Sequence, residues 1–208
     1  MQGRDPREWP VSDASTIEQF FVEQGKHVVY FSGYGELGYA KADLVRTVAR
    51  QILEHWPPAD IIAMTGTLIR VGGNDGIADV YQVAKDLGVR TAGIHPSVAR
   101  QFALTHRVSP DCDAVFFVDD ETWGGYANGT EPSSTLRVHL AVADELVVIG
   151  GGKHAADELR AFHDHGRPVR YFAADMNSVT AIEWCRRAGV EIPDFRGAAR
   201  HTWDDLAR

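Results

Sequence analysis

Residues 27–38 read HVVYFSGYGELG, and they carry the strongest fold signal in the chain. The run from Val28 to Phe31 is apolar or aromatic at every position. Such a run is typical of a strand covered on both faces, because a half-exposed strand alternates between apolar and polar residues. Gly33, Gly35 and Gly38 follow at the spacing GxGxxG, which is typical of a tight turn between a strand and a helix. We therefore expect a parallel strand whose carboxyl end carries a glycine-rich turn.

The same succession of strand, turn and helix recurs along the chain. The predicted strands occupy residues 27–32, 61–65, 91–95, 114–118, 146–149 and 169–173, and helical periodicity follows most of them. This alternation predicts an α/β fold with a doubly wound, mostly parallel sheet and helices on both faces. Residues 1–26 are expected to form a lead-in and a short helix with a Ser15–Glu18 capping box, and residues 27–208 a single domain.

Composition limits the classes of partner. The chain has 208 residues, and its 29 acidic and 21 basic side chains give a formal net charge of −8. This charge disfavours nucleic acid as a partner, because phosphate backbones require a basic face. No apolar run approaches the ~20 residues of a membrane span, and the first residues lack the apolar core of a secretion signal. We therefore expect a cytoplasmic protein whose partner is a small molecule.

Three glycine clusters are predicted to lie at the carboxyl edge of the sheet, where ligands bind in open parallel sheets. Helix N-termini at this edge offer unpaired N–H groups and a partial positive charge to a phosphate. The ligand-binding candidates are Gly33, Gly35, Gly72, Gly73, Asn74, Gly76, Ile77, Gly150, Gly151, Gly152, Lys153 and His154. Asp119, after the fourth predicted strand, and Trp123, in the irregular stretch that follows, complete this set. Trp123 is a candidate for stacking on a base.

The second and third clusters, residues 72–79 and 150–158, resemble the SLOG superfamily together with the strand 91–96 (TAGIHP). That superfamily includes the lysine-decarboxylase-like (LOG-like) nucleotide phosphoribohydrolases, and the resemblance extends from about Val28 to Asp175. It implies a Rossmann-like fold, a nucleotide-type ligand and a homodimer or higher homo-oligomer. It also implies that Glu158 supports cleavage of the bond between base and sugar, with Arg137 or Lys153 supplying positive charge. No metal and no required cofactor are expected.

Three functions stay open at this point. The leading one is binding of a nucleotide or phosphorylated nucleoside at the glycine-rich edge, with hydrolysis of its N-glycosidic bond as an open question. The alternative is a non-catalytic sensor or carrier of a nucleotide or cofactor, because His154 and Ala155 replace a Gly-Thr pair of the superfamily. A further alternative is an NAD(P)-dependent oxidoreductase, favoured by GxGxxG but lacking the acidic residue expected at the end of the second strand, which reads Met64-Thr65-Gly66.

Overall fold

The computed structural model describes residues 4–208, and a sheet of seven parallel strands lies at its centre. The strands in chain order are β1 (Val11–Ser12), β2 (His27–Gly33), β3 (Ile61–Thr65), β4 (Ile69–Arg70), β5 (Arg90–Pro96), β6 (His106–Arg107), β7 (Ala114–Val118), β8 (Tyr126–Ala127), β9 (Glu131–Pro132), β10 (Glu145–Ile149) and β11 (Val169–Phe172). The helices are α1 (Ala14–Gln24), α2 (Asp43–Leu53), α3 (Asp79–Asp86), α4 (Ser134–Val142), α5 (Lys153–Asp164), α6 (Ser178–Ala188) and α7 (Ala198–Leu206).

The strand order of the central sheet is β1-β7-β5-β3-β2-β10-β11. The chain moves outward from β2 through β3 and β5 to β7, and then returns to the other side of β2 to form β10. The order therefore reverses between β2 and β10, where Ile149 is in register with Gly33. This arrangement confirms the predicted doubly wound α/β fold, and it places a topological switch point at the carboxyl end of the first predicted strand.

Alternate residues of each strand enter two different apolar layers. Tyr30, Met64 and Leu146 pack with α1, α4, α5 and α7, whereas Phe31 and Val147 pack with α2, α3 and α6. Because side chains of a strand alternate between its faces, a strand that is apolar throughout requires helices on both sides. The predicted cover of helices on both faces is thus confirmed.

The N-terminal segment differs from the prediction in its details. Asp13 caps α1, since its Oδ1 accepts a hydrogen bond from the N–H of Thr16 at 2.8 Å; Ser15 is not the cap. Just before α1, Val11 pairs with Phe117 and adds the short edge strand β1 to the sheet. The first three residues of the predicted lead-in lie outside the described part of the chain.

None of the helices between residues 4 and 208 is long and apolar enough to cross a bilayer.

Candidate functional site

A cleft of about 620 Å³ opens at the carboxyl edge of the sheet. Its walls are the segments that follow β2, β3, β5 and β7, with parts of α4 and the first turns of α5. At the switch point the connections leave the sheet in opposite directions, so a crevice remains between them. Of the predicted ligand-binding residues, the cleft is lined by Gly33, Gly35, Ile77, Trp123, Gly152, Lys153 and His154.

Glu158 lies at the floor of the cleft, and its carboxylate is engaged by the protein itself. Oε1 accepts a hydrogen bond from the hydroxyl of Tyr30 at 2.6 Å, and Oε2 accepts a short one from the hydroxyl of Ser32. His139 Nδ1 lies 3.7 Å from Oε1. Burial raises the pKa of Glu158, but His139 and the two hydroxyl donors outweigh burial and hold it below its ordinary value. Glu158 is therefore a buried anion whose two oxygens already have donors.

Helix α4 turns one of its faces toward the cleft and another toward solvent. Thr135 and His139, four residues apart, line the cleft, as expected for positions on the same helix face. Arg137 lies between them in sequence and is exposed, with its guanidinium donating to the carbonyl of Pro132 at 2.8 Å. The sequence-based prediction requires Arg137 to lie at the ligand site. In the structure its position on α4 directs the side chain away from the cleft.

The Thr135 hydroxyl is a second polar group of the cleft wall. The residue is only 2% exposed, and no partner for Oγ1 is found within residues 4–208. A buried hydroxyl without a partner costs free energy unless a ligand or water satisfies it. Thr135 thus lines a cavity large enough for a small molecule, with a hydroxyl that has no partner within hydrogen-bond distance among residues 4–208.

The N-terminus of α5 also faces the cleft. Gly152 is the N-cap residue and has no side chain to accept hydrogen bonds from the first turn. Lys153 and His154 follow it and are exposed at the cleft wall. Gly150 and Gly151 are buried outside the cleft lining, and the carbonyl of Gly151 accepts a hydrogen bond from the N–H of Ala199 at 3.1 Å. Only the last glycine of this cluster is therefore open to a ligand.

The GxGxxG stretch does not form the compact strand–turn–helix of a dinucleotide fingerprint. Gly33 ends β2, but α2 begins only at Asp43, and Gly38 lies in the loop between them. Tyr39 folds back against this loop and donates its hydroxyl to the carbonyl of Ile149 at 3.0 Å. A pyrophosphate on Gly33 and Gly35 would therefore lack the helix N-terminus that the fingerprint supplies. The oxidoreductase alternative is not supported by this geometry.

The second glycine cluster is used mainly in packing. Gly72, Gly73 and Asn74 are exposed after β4 and do not line the cleft. Gly76 is buried against the loop after β2, where the N–H of Ile77 donates to the carbonyl of Tyr34 at 2.7 Å. Within this cluster only the side chain of Ile77 reaches the cleft.

Aromatic rings stand at the outer part of the cleft. Trp123 is 49% exposed and Phe102 is 41% exposed, with their ring centroids 4.9 Å apart. Trp184 of α6 lines the same cleft and is 39% exposed. Large apolar side chains left exposed around a cavity are characteristic of a binding surface. The irregular stretch predicted for residues 124–134 is held in place by a short hairpin of β8 and β9.

The acidic run after β7, residues 119–121, contains one buried carboxylate, that of Asp120, and two exposed ones. Asp119, a predicted ligand residue, is exposed and outside the cleft lining. Asp120 is buried and accepts hydrogen bonds from Thr122 N at 2.8 Å and from Thr135 N at 2.9 Å. Burial raises the pKa of Asp120, but its hydrogen bonds to Thr122 and Thr135 lower it below the ordinary value overall. Within residues 4–208 no group of three His, Cys, Asp or Glu side chains is placed to hold a metal ion.

Replacing Asp120 by alanine is expected to lower the free energy of unfolding by about 3–5 kcal/mol, because at least two hydrogen bonds to a charged acceptor are lost and each contributes roughly 1.5–3 kcal/mol. Asp119→Ala is the matched control, and it should change the stability by less than about 0.5 kcal/mol since its side chain is exposed. Urea denaturation of both variants measures the difference. Equal losses would show that Asp120 does not hold α4 in place.

Several cleft residues were not predicted from the sequence. Thr65 and Gly66 line the cleft where β3 ends. Their place at the end of a buried strand was the signal available in the sequence. The expectation for this strand end concerned only an acidic residue, so Thr65 and Gly66 themselves were not named as ligand-binding residues. Tyr30, Ser32 and His139 also line the cleft and belong to apolar or helical runs that indicate core. Only their three-dimensional relation to Glu158 identifies them.

The comparisons with known proteins concern the fold. No family model matches the chain, and no curated protein matches its sequence. The molybdenum cofactor carrier protein of Chlamydomonas reinhardtii aligns at 19% identity and a TM-score of 0.48, over 88% of this chain and 99% of that one. The molybdenum cofactor binding protein of the phototrophic bacterium Rippkaea orientalis aligns at 18% identity and a TM-score of 0.49, over 88% and 95% of the two chains. The structural-genomics target TM1055 aligns at 20% identity and a TM-score of 0.47, over 69% and 72%.

At these identities the likeness extends to the α/β fold alone. One sequence-based prediction is corrected by these neighbours. The chain was expected to need no cofactor, but two of the similar structures are described as carrying or binding the molybdenum cofactor. The prediction that no cofactor is required is therefore wrong.

Proposed function

We propose that this protein binds a phosphate-bearing, nucleotide-like cofactor in the cleft at the switch point and carries it without transforming it. The observation that supports the proposal best is the N-terminus of α5, which opens into the cleft at Gly152 with no side-chain cap. The first N–H groups of a helix have no partner within the helix and carry a partial positive charge. They are suited to the oxygens of a phosphate.

The side chains around this helix end suit the same ligand. Lys153 lies in the first turn of α5 and provides a positive charge in a chain that is acidic overall. The unpartnered hydroxyl of Thr135 lines the same cleft and offers one further hydrogen bond. A phosphate at the α5 N-terminus would then be held by N–H groups, with a nearby ammonium and hydroxyl as further partners.

The aromatic side chains at the outer part of the cleft favour a ligand with a flat ring. Phe102 and Trp123 contact each other and remain partly exposed. Stacking of a base on an aromatic side chain contributes about 1–3 kcal/mol, and every base offers a face for it. A cleft of about 620 Å³ accommodates a ligand of nucleotide size.

The state of Glu158 favours carriage over hydrolysis. A carboxylate that stabilises a sugar cation must face the sugar with an oxygen that is not already neutralised. Both oxygens of Glu158 accept hydrogen bonds from Tyr30 and Ser32, and His139 is close to one of them. Arg137, the other residue of the predicted hydrolase, is directed to solvent. We therefore prefer the carrier function to the N-glycosidic hydrolase.

The family and the kind of cargo are part of the same proposal. The proposal includes membership of the SLOG superfamily. It also includes a ligand of the kind named for the similar carrier proteins, the molybdenum cofactor, as cargo of this cleft. A homo-oligomeric state and a cytoplasmic location stay predictions from the sequence.

The test is a binding panel followed by product analysis. The protein is titrated calorimetrically with nucleoside monophosphates, nucleoside diphosphates, flavin mononucleotide and the molybdenum cofactor, and each bound compound is then incubated and analysed by chromatography. Saturable binding with no chemical change supports the carrier function. Release of free base would show the hydrolase instead, and no binding at all would overturn the ligand class.

The anion site predicts a specific loss on replacing Gly152 by aspartate. An added Cβ at Gly152 meets no atom within 4 Å, so the fold should be retained, and aspartate is a favourable N-cap residue. Its carboxylate would occupy the position that we assign to phosphate and repel it. We expect phosphate-bearing ligands to bind at least about tenfold more weakly, which corresponds to roughly 1.4 kcal/mol.

Gly152→Ala is the matched control, because it adds a Cβ without charge and leaves the N–H groups open. We expect its affinity to stay close to that of the parent protein, by the same calorimetric titration. Equal affinity of the aspartate and alanine variants would place the phosphate elsewhere.

A further inference from the structure

A second depression of about 340 Å³ adjoins the cleft, and we refer to it as the annex. The annex is lined by Glu36, Arg70, Thr105, His106, Trp184, Arg187 and Ala188. Three of these residues, Glu36, His106 and Trp184, line the cleft as well. A molecule bound in the cleft can therefore extend into the annex without crossing a wall of protein.

The annex is basic although the chain has a net charge of −8. Two guanidinium groups and one imidazole meet a single carboxylate there. Arg70 Nη1 lies 3.1 Å from Glu36 Oε2, and His106 Nε2 lies 3.6 Å from the same oxygen. Arg187 forms no salt bridge with any carboxylate of residues 4–208. One positive charge of the annex is thus not compensated by a direct partner.

The glycines that precede α3 help to form this surface. A Cβ on Gly73 would come within 3.0–3.2 Å of the side-chain carbons of Arg70. Gly73 therefore leaves space for the aliphatic part of Arg70 to lie against the turn, and the guanidinium reaches Glu36. Of the two glycines that resemble a phosphate-binding motif, Gly73 thus contributes to this surface through the arginine beside it.

Helix α6 completes the annex with two side chains from one face. Trp184 and Arg187 are three residues apart, which brings them to neighbouring positions on a helix. Both are exposed, so neither is needed to fill the core. Both side chains therefore remain available to a ligand that enters the annex.

We propose that the annex is a second anion subsite, so that the ligand of this cleft carries two anionic groups. This inference rests on the proposed function, because it assigns the other anionic group to the α5 N-terminus. Arginine binds phosphate or carboxylate through paired N–H donors, and two arginines with one imidazole suit a phosphate in particular. Glu36 holds Arg70 and His106 in place while the annex carries no ligand.

The test compares adenosine 5′-monophosphate with adenosine 3′,5′-bisphosphate in calorimetric titrations of the full chain. The bisphosphate should bind the parent protein about tenfold more tightly, as expected for one additional charge-assisted contact. Arg187→Glu should abolish this advantage and change the affinity for the monophosphate by much less. Circular dichroism verifies that the variant is folded.

Arg186→Glu is the matched control, because it makes the same charge change on the same helix at an exposed position outside the annex. It should retain the preference for the bisphosphate. If the monophosphate binds and the bisphosphate binds no better, or if both variants lose the preference equally, the annex is not an anion subsite although the proposed function stands. If neither compound binds, the proposed function fails and this inference fails with it.

Discussion

Glu158→Ala is expected to lower the free energy of unfolding by about 3–5 kcal/mol, because two buried hydrogen bonds to a charged acceptor are lost and each contributes roughly 1.5–3 kcal/mol. The substitution leaves the hydroxyls of Tyr30 and Ser32 without their acceptor in a buried position. Urea denaturation at neutral pH measures the loss. Ser32→Ala, which removes only one of the donors to this charged acceptor, should cost less, about 1.5–3 kcal/mol.

The same carboxylate predicts a pH dependence of stability. The folded-state pKa of Glu158 lies below its ordinary value, so its contribution is complete above the unfolded-state pKa and is lost as the pH falls through the folded-state pKa. The stability difference between the parent protein and Glu158→Gln should therefore shrink toward acid pH. Residues kept for catalysis often lower the stability of the fold. If a variant at Glu158 were as stable as the parent protein, or more stable, the claim that this carboxylate has a structural role would therefore be contradicted.

Gly76→Ala is expected to destabilise the protein by about 2–5 kcal/mol. The backbone of Gly76 has φ of +59°, where an L-residue costs roughly 1–2 kcal/mol. An added Cβ would also overlap the carbonyl oxygens of Tyr34 and Gly35, and relief of such a clash costs about 1–3 kcal/mol more. Thermal or urea unfolding measures the total.

Gly72→Ala separates the two contributions. Gly72 has φ of +71°, but its added Cβ would meet no atom within 4 Å. Its loss should therefore be limited to the backbone term of about 1–2 kcal/mol. If the two alanine variants lost the same stability, the contact between the Gly76 turn and the loop after β2 would have no energetic importance.

Glycine clusters were a good guide to the sheet edge and a poor guide to the role of each glycine. All three clusters lie near the carboxyl ends of strands, yet Gly76 is buried in a contact between loops and Gly152 caps a helix at the cleft. Glycine occurs wherever the backbone turns sharply or approaches another segment closely, and a phosphate is only one of the groups that can approach it. The sequence does not distinguish these uses.

The residues of α4 show a similar limit. The resemblance to the SLOG superfamily places an arginine at the position of Thr135, and Arg137, two positions later, was taken as its substitute; the phase of the helix brings Thr135 and His139, but not Arg137, to the cleft. A helix advances by 100° per residue, so an error of two positions directs a side chain to the opposite side. A functional role can be assigned to a helical residue by resemblance only when the two sequences are aligned to the exact residue.

The sequence by itself determined the six main strands and the parallel, doubly wound class, because burial on both faces forces nearly continuous apolar runs that can be read locally. Only the tertiary structure decided which polar groups meet in the cleft. Tyr30 and Glu158 are 128 positions apart in the chain, and their contact depends on the return of the chain to form β10 beside β2. Local patterns record whether a residue is buried, but hydrogen-bond partners so distant in sequence are set by the packing of whole elements, which leaves no local pattern.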